Sequence, residues 1–158
     1  MAEKKKFENP ELSIHREIAL WAANCAEHTL NLFEYKYPDD KRPQLALIAI
    51  REWLHGERSM VSCREAAFKA HAAAREAQEP DAIAAARATG QAVSVAHMYT
   101  HCTGATEYAA KVAGLSVPKE ISEQTAMQER EWQWDQLRED LHPIGFPNGK
   151  KMILKFKS

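Results

Sequence analysis

Two histidines four residues apart, His97 and His101, are the side chains whose spacing most directly suggests chemistry. On one continuous helix they project from the same face, where two imidazoles can hold a metal ion while another helix supplies a third ligand. His28 and His71 lie on apolar helical stripes and are the candidates for that third ligand, with Glu27 adjoining His28. Metalloprotease spacing requires a glutamate directly after the first histidine, and Met98 occupies that position. Histidines hydrogen-bonded in the interior or at its rim account for the same residues without any chemistry.

Nucleophilic catalysis has less support. The chain has neither a Gly-x-Ser-x-Gly turn nor a Gly-x-x-x-x-Gly-Lys phosphate loop. Cys102 follows His101, but adjacent residues on a helix diverge by about 100° and cannot act as an ordinary thiol and base pair. Cys25, Cys63 and Cys102 are odd in number and lack the close pairing of a zinc or redox motif, so buried, reduced thiols are expected. No enzyme class is indicated and no cofactor is called for.

Charge points toward a protein partner. The 21 basic and 22 acidic residues give a net charge of −1. Lys4, Lys5 and Lys6 outnumber Glu3 at one end, and Lys150, Lys151, Lys155 and Lys157 stand at the other, which leaves about −7 on residues 7–142. Such a body disfavours nucleic acid and suits a basic protein, since complementary potentials raise encounter rates, while plain maintenance of solubility accounts for the same charge. Glu120, Glu123, Glu129 and Glu131 are the carboxylates expected on that exterior, with Trp132 and Trp134 as candidate partner anchors. Packing of the last helix onto the body is the competing use for the two tryptophans.

The elements that must position these residues are helical. A length of 158 residues suits one domain, and 45% apolar with 27% charged residues suits a soluble core. No run is long and apolar enough for a membrane span, and the N-terminus has no signal-peptide pattern, so a cytoplasmic protein is expected. The expected division is a basic segment 1–12, a helical domain 13–142 and a basic, apolar tail 143–158. A first helix starts at Ser13 as N-cap and carries Ile14, Ile18, Trp21, Cys25, His28 and Leu32 toward the core. A second opens at Pro43 and is apolar nearly all round through Leu45, Leu47, Ile48, Ile50, Trp53 and Leu54, so it is expected to be central.

Gly56 stops that helix, and Ser59 or Ser62 caps a third, with Ala67, Phe68, His71 and Ala74 on one side. A fourth runs from about residue 81 through His97 to Val112. Its Gly90 and Gly104 either break it or admit a close neighbour, and the alanine-rich context favours close packing. A charged surface helix, 119–141, uses Ile121, Met127, Trp132, Trp134 and Leu137 as apolar anchors. Asn148-Gly149 signals a turn in a tail whose Met152, Ile153, Leu154 and Phe156 are expected to dock on the body or on another subunit. The fold class is therefore all-α, a single-domain bundle of five or six helices with a small extended C-terminal element.

Four segments carry a family resemblance. They are Leu20-Trp21-Ala22-Ala23-Asn24-Cys25-Ala26-Glu27-His28, Asp39-Asp40-Lys41-Arg42-Pro43, Ala66-Ala67-Phe68-Lys69-Ala70-His71-Ala72-Ala73-Ala74-Arg75, and the stretch from Gly90 through His97-Met98-Tyr99-Thr100-His101-Cys102 to Ala105. In order and spacing over residues 14–114 they resemble the putative immunity proteins of bacterial polymorphic toxin systems. The resemblance implies an all-helical cytosolic protein that neutralises a cognate toxin by binding it, without chemistry of its own. Glu27, His28, Asp40, Arg42, His71, Arg75, His97 and His101 match motif positions. Two alternatives stay open: a metal-binding helical protein or metal-dependent hydrolase using the histidines, and a structural homo-oligomer. No nucleic-acid or membrane partner is expected.

Overall fold

Alanine, small enough to let helix backbones approach closely, dictates how this chain packs. The computed structural model describes residues 8–154, so Lys4–Lys6 and the tail residues Lys155, Phe156 and Lys157 lie outside the described residues. Six helices carry the fold: α1 (Leu12–Glu34), α2 (Arg42–Leu54), α3 (Met60–Glu76), α4 (Pro80–Ser94), α5 (His101–Leu115) and α6 (Ser122–Asp135). A single turn, α7 (His142–Gly145), and a short strand, β1 (Pro147–Lys150), follow, with 3₁₀ turns at Lys119–Ile121 and Glu139–Leu141. Among the described residues the fold is all-α apart from β1.

The centre is α4, which packs against α1, α2, α3 and α5. Ala82, Ala84, Ala85, Ala86, Ala88 and Ala92 are all buried, so its neighbours close around it on nearly every side. This corrects the placement of α2. Leu45 and Ile48 are 53% and 43% exposed while Leu47 and Ile50 are buried, because α2 lies at the edge and turns only one side inward. A helix rich in large apolar residues needs wide grooves, whereas a small-residue helix fits between four others at short spacing.

Local signals fix several boundaries. Pro43 and Pro80 stand in the first turns of α2 and α4, where a missing N–H costs nothing. Ser59 caps α3, its hydroxyl accepting from the Ser62 N–H at 3.1 Å. Gly56, at φ +73°, ends α2 with its N–H on the Trp53 carbonyl and that of Glu57 on Glu52. At α1 the expected cap is displaced: the helix begins at Leu12 after Glu11, and the Ser13 hydroxyl, already inside the first turn, donates to the Glu11 carboxylate.

Three further expectations are overturned. The expected fourth helix is two, α4 and α5, separated by a turn at residues 95–100. Phe68 does not share the buried side of α3 with Ala67 and Ala74; it is 65% exposed. The stretch 119–141 is broken at both ends by 3₁₀ turns, and α6 turns inward Ala126, Glu129, Arg130 and Gln133, while Ile121 and Met127 face out. The inward residues stand at i, i+3, i+4 and i+7, the spacing of one helix face, so the helix is amphipathic in geometry but not in polarity.

Candidate functional site

The break between α4 and α5 decides the fate of the histidine pair. His97 falls in the exposed turn and His101 opens α5, so the two do not share a helix face. The turn is held from a distance: Asn9 donates its Nδ2 to the His97 carbonyl at 3.0 Å, and its Oδ1 accepts from the Tyr99 N–H at 2.9 Å. From α1, His15 Nε2 donates to the Val95 carbonyl at 2.5 Å. Asn9 and His15 bind the turn without any counterpart in a local sequence pattern, and sequence reasoning missed both.

His71 and His101 lie near one another at the α3, α4 and α5 contact, each held by a neighbour on α4. Arg87 Nη1 donates to His71 Nδ1 at 2.8 Å, and His101 Nδ1 donates to Gln91 Oε1 at 2.9 Å. Burial, followed by the positive charges of Arg87 and Arg75 and by His101, pulls the His71 pKa down to about 4. His101 is also lowered, by burial first and then by His97. Both rings are therefore neutral packing elements at pH 7. Gly90 makes room for one of them, since a Cβ there would lie 2.6 Å from His71 Cε1 and Nε2.

His28 stands elsewhere. It leaves the stripe expected to face the core, and its half-exposed ring bridges α1 to α6, with Nδ1 at 2.5 Å from Glu129 Oε2 and a stacking contact on Trp132 at 3.7 Å between centroids. Glu129 is thus buried and paired, not on the exterior as expected. Trp134 stacks on His142 at 3.6 Å and lies beneath Lys150. Both candidate anchors are half-buried and engaged within the chain. Among the described residues no three or more histidine, cysteine, aspartate or glutamate side chains converge as a metal-holding group.

The remaining motif positions brace helices. Arg42 makes a two-pronged contact with Asp40, Nε to Oδ1 at 2.9 Å and Nη2 to Oδ2 at 2.7 Å, and also reaches Glu76 at the end of α3. The guanidinium holds the Asp40 carboxyl below the usual carboxylate range, and the two carboxylates raise Arg42 in turn. Glu27 pairs with Arg51 of α2 at 2.6 Å, and Arg75 is exposed. The eight motif residues therefore form no single cluster: Asp40 pairs with Arg42, His71 lies near His101, and the others stand apart.

A buried polar network that sequence reasoning did not anticipate fastens α6. Gln133 Nε2 donates to the Thr106 carbonyl at 2.7 Å, its backbone carbonyl accepts from Trp21 Nε1 at 2.8 Å, and Arg130 Nη1 donates to Thr106 Oγ1 and Gln133 Oε1. Burial lowers the Arg130 pKa. The arginine also lies over the Phe146 ring and donates Nε to the Lys150 carbonyl, so the network holds the tail as well. Glu107 accepts the backbone N–H groups of Ile153 and Leu154, while the Ile153 side chain remains 63% exposed. The tail thus docks through its backbone at this point.

The acidic exterior is narrower than expected. With Glu129 inside, Glu123, Glu131 and Asp135 on α6 and Glu120 on the 3₁₀ turn before it are the exposed carboxylates, and Glu131 is shared with Lys150 at 2.8 Å. The three cysteines are free and buried; burial raises Cys63 to about 11 and Cys102 to about 12, far from reactive thiolates. Among the described residues no helix is long and apolar enough to cross a membrane.

Comparison with known proteins adds one finding. Residues 8–140 match the family model described as Imm-5 like putative immunity protein, a span that takes in α6 as well as the four segments whose resemblance is carried by residues 14–114. No curated protein and no solved structure matches the chain.

Proposed function

The chain belongs to the Imm-5-like family of putative immunity proteins, and from that premise we propose that it binds a cognate bacterial protein toxin and neutralises it without chemistry of its own. The exposed carboxylates Glu123, Glu131 and Asp135 on α6, with Glu120 on the 3₁₀ turn that leads into it, are the observation that carries this reading. Carboxylates spaced along one rigid helix attract a basic surface from beyond contact distance and discourage acidic competitors. Seated over a basic active site, such a helix blocks it both sterically and by charge. The histidines favour binding over hydrolysis, since the rings of His28, His71 and His101 are each hydrogen-bonded to a different neighbour and His97 lies in the turn.

Charge reversal tests the assignment. A triple variant Glu120→Lys, Glu123→Lys, Glu131→Lys is co-expressed with a toxin encoded at the same locus, and the association rate of the purified pair is measured at low and moderate salt. The expected result is loss of growth protection and an association rate slower by about tenfold or more at low salt, with the difference shrinking as salt rises. A triple variant that associates at the parental rate and still protects overturns the role of this helix. Absence of any complex with the parental chain overturns the neutralisation reading itself.

A further inference from the structure

We propose that the outer side of the α2–α3 hairpin is a second docking surface, which takes an acidic helix of a protein partner bearing apolar side chains between its carboxylates. Charge is segregated in this fold. Residues 41–76 hold seven lysines and arginines against four glutamates, about +3, within a body that carries about −7 over residues 7–142. Arg42, Arg51 and Arg58 are ion-paired within the chain, which leaves Lys41, Arg64, Lys69 and Arg75 as the cations the hairpin offers to a partner, on elements separate from the carboxylates of α6.

Apolar exposure is concentrated on the same hairpin. Of the eleven large apolar side chains exposed among the described residues, five (Leu45, Ile48, Met60, Val61 and Phe68) lie on α2 and α3. Val61 and Phe68 are 60% and 65% exposed, and the series Val61, Glu65, Phe68, Ala72 advances by four, three and four residues, the spacing of a helix that packs along another helix. Between the two helices opens a cavity of about 170 Å³ lined by Leu45, Ser62, Ala66 and three cations, Arg42, Arg58 and Lys69, with Glu65 as its one carboxylate. Arg58 holds Glu52 and Ser62 with its terminal nitrogens, and its buried Nε has no partner among the described residues. Large apolar side chains rimmed by cations fit an incoming helix of the opposite pattern.

The charges select among occupants. A second copy docking across α3 would bring three cations, Arg64, Lys69 and Arg75, against Glu65 and a Glu76 already held by Arg42, so like charge stays in excess and disfavours self-pairing there. Nucleic acid and anionic membrane fit poorly because Glu52, Glu65 and Glu76 are interleaved with the cations and would face phosphates. An acidic helix can set its carboxylates opposite Lys41, Arg64, Lys69 and Arg75, which hold no ion pair among the described residues, and its apolar side chains opposite Glu65 and Phe68, a patterning that a continuous run of phosphates does not allow. The proposal does not rest on toxin binding through α6: the two surfaces share no residue, so each can fail alone.

The test uses a fluorescein-labelled 18-residue peptide built from glutamate with leucine at heptad core spacing, titrated with the full chain and followed by anisotropy. Saturable binding is expected, weakened about tenfold or more by Phe68→Ser or Lys69→Glu and unchanged by the α6 triple variant, a tenfold loss corresponding to about 1.4 kcal/mol. Both substituted side chains are exposed, and circular dichroism verifies that the variants stay folded. No saturation up to about 1 mM protein, a range that spans the weakest specific contacts, would overturn the proposal. So would equal binding of the lysine-for-glutamate peptide, equal binding by the variants, or tighter binding to phosphatidylglycerol vesicles or to duplex DNA.

Discussion

Replacing Gln133 by leucine tests whether α6 is held by its hydrogen bonds or by its tryptophans. Gln133 is fully buried, with Nε2 on the Thr106 carbonyl and Oε1 accepting from Arg130. Leucine has similar volume and removes both contacts. A neutral hydrogen bond contributes about 1 kcal/mol and one to a charged group about 1.5–3 kcal/mol. The Thr106 carbonyl lies within α5, and Arg130 keeps Thr106 Oγ1 and the Lys150 carbonyl, while leucine regains some apolar burial. The net loss is expected to be about 2–3 kcal/mol, a fall in Tm of about 4–12 °C for a domain of this size.

Urea unfolding followed by circular dichroism and tryptophan fluorescence measures it. Thr106→Val, which removes the hydroxyl that accepts from Arg130, completes a double-mutant cycle. The shared arginine requires a coupling of at least about 0.5 kcal/mol in that cycle. A Gln133→Leu variant within about 0.5 kcal/mol of the parent would refute the reasoning and assign the helix to Trp132, Trp134 and Leu137 instead.

Gly90→Ala is expected to destabilise by about 1–2 kcal/mol, because overpacking against the His71 ring outweighs alanine's helix-propensity advantage of about 1 kcal/mol; recovery on adding His71→Ala would confirm the clash, and a parental unfolding midpoint in the single variant would disprove it. His71 also sets a pH dependence. Its pKa of about 4 lies below the value of about 6.5 expected for the unfolded chain, so the unfolded state takes up the proton first. Stability is then unaffected by His71 above about pH 6.5 and declines as pH falls from there toward 4. In His71→Gln the decline over that window should be shallower, and an identical slope would count against the assignment.

Punctuation in the sequence located the boundaries that are set locally. Pro43, Gly56, Ser59 and Pro80 act within one turn of themselves, and the structure uses each of them. The burial of Cys25, Cys63 and Cys102 was equally legible from their alanine-rich surroundings. What escaped is set by distant partners. Nothing in Val95–Thr100 breaks a helix, for the stretch has no glycine or proline, and the turn there is pinned by Asn9 and His15 from the start of the chain.

The inward face of α6 escaped for the same reason. Hydrophobic pattern turns Met127 inward and Arg130 outward, but burial of an arginine follows from acceptors on α5 and the tail that no periodicity reveals. The histidines illustrate the point at the candidate site. Their residue types and spacing suggested convergence, but the break between α4 and α5 parted His97 from His101, and His28 on α1 turned to Glu129 and Trp132 of α6.

The enclosure of α4 by α1, α2, α3 and α5 bears on how this protein opens. A helix sheathed on nearly every side in small residues cannot unfold while its neighbours stay in place, and none of them can depart without exposing it. Its amides should therefore exchange with solvent only through global unfolding, whereas β1 and the backbone fastened at Glu107 can detach and close again many times in the interval. The molecule would then breathe at its end and remain shut at its axis, so a partner that captures the opened tail would find the interior intact.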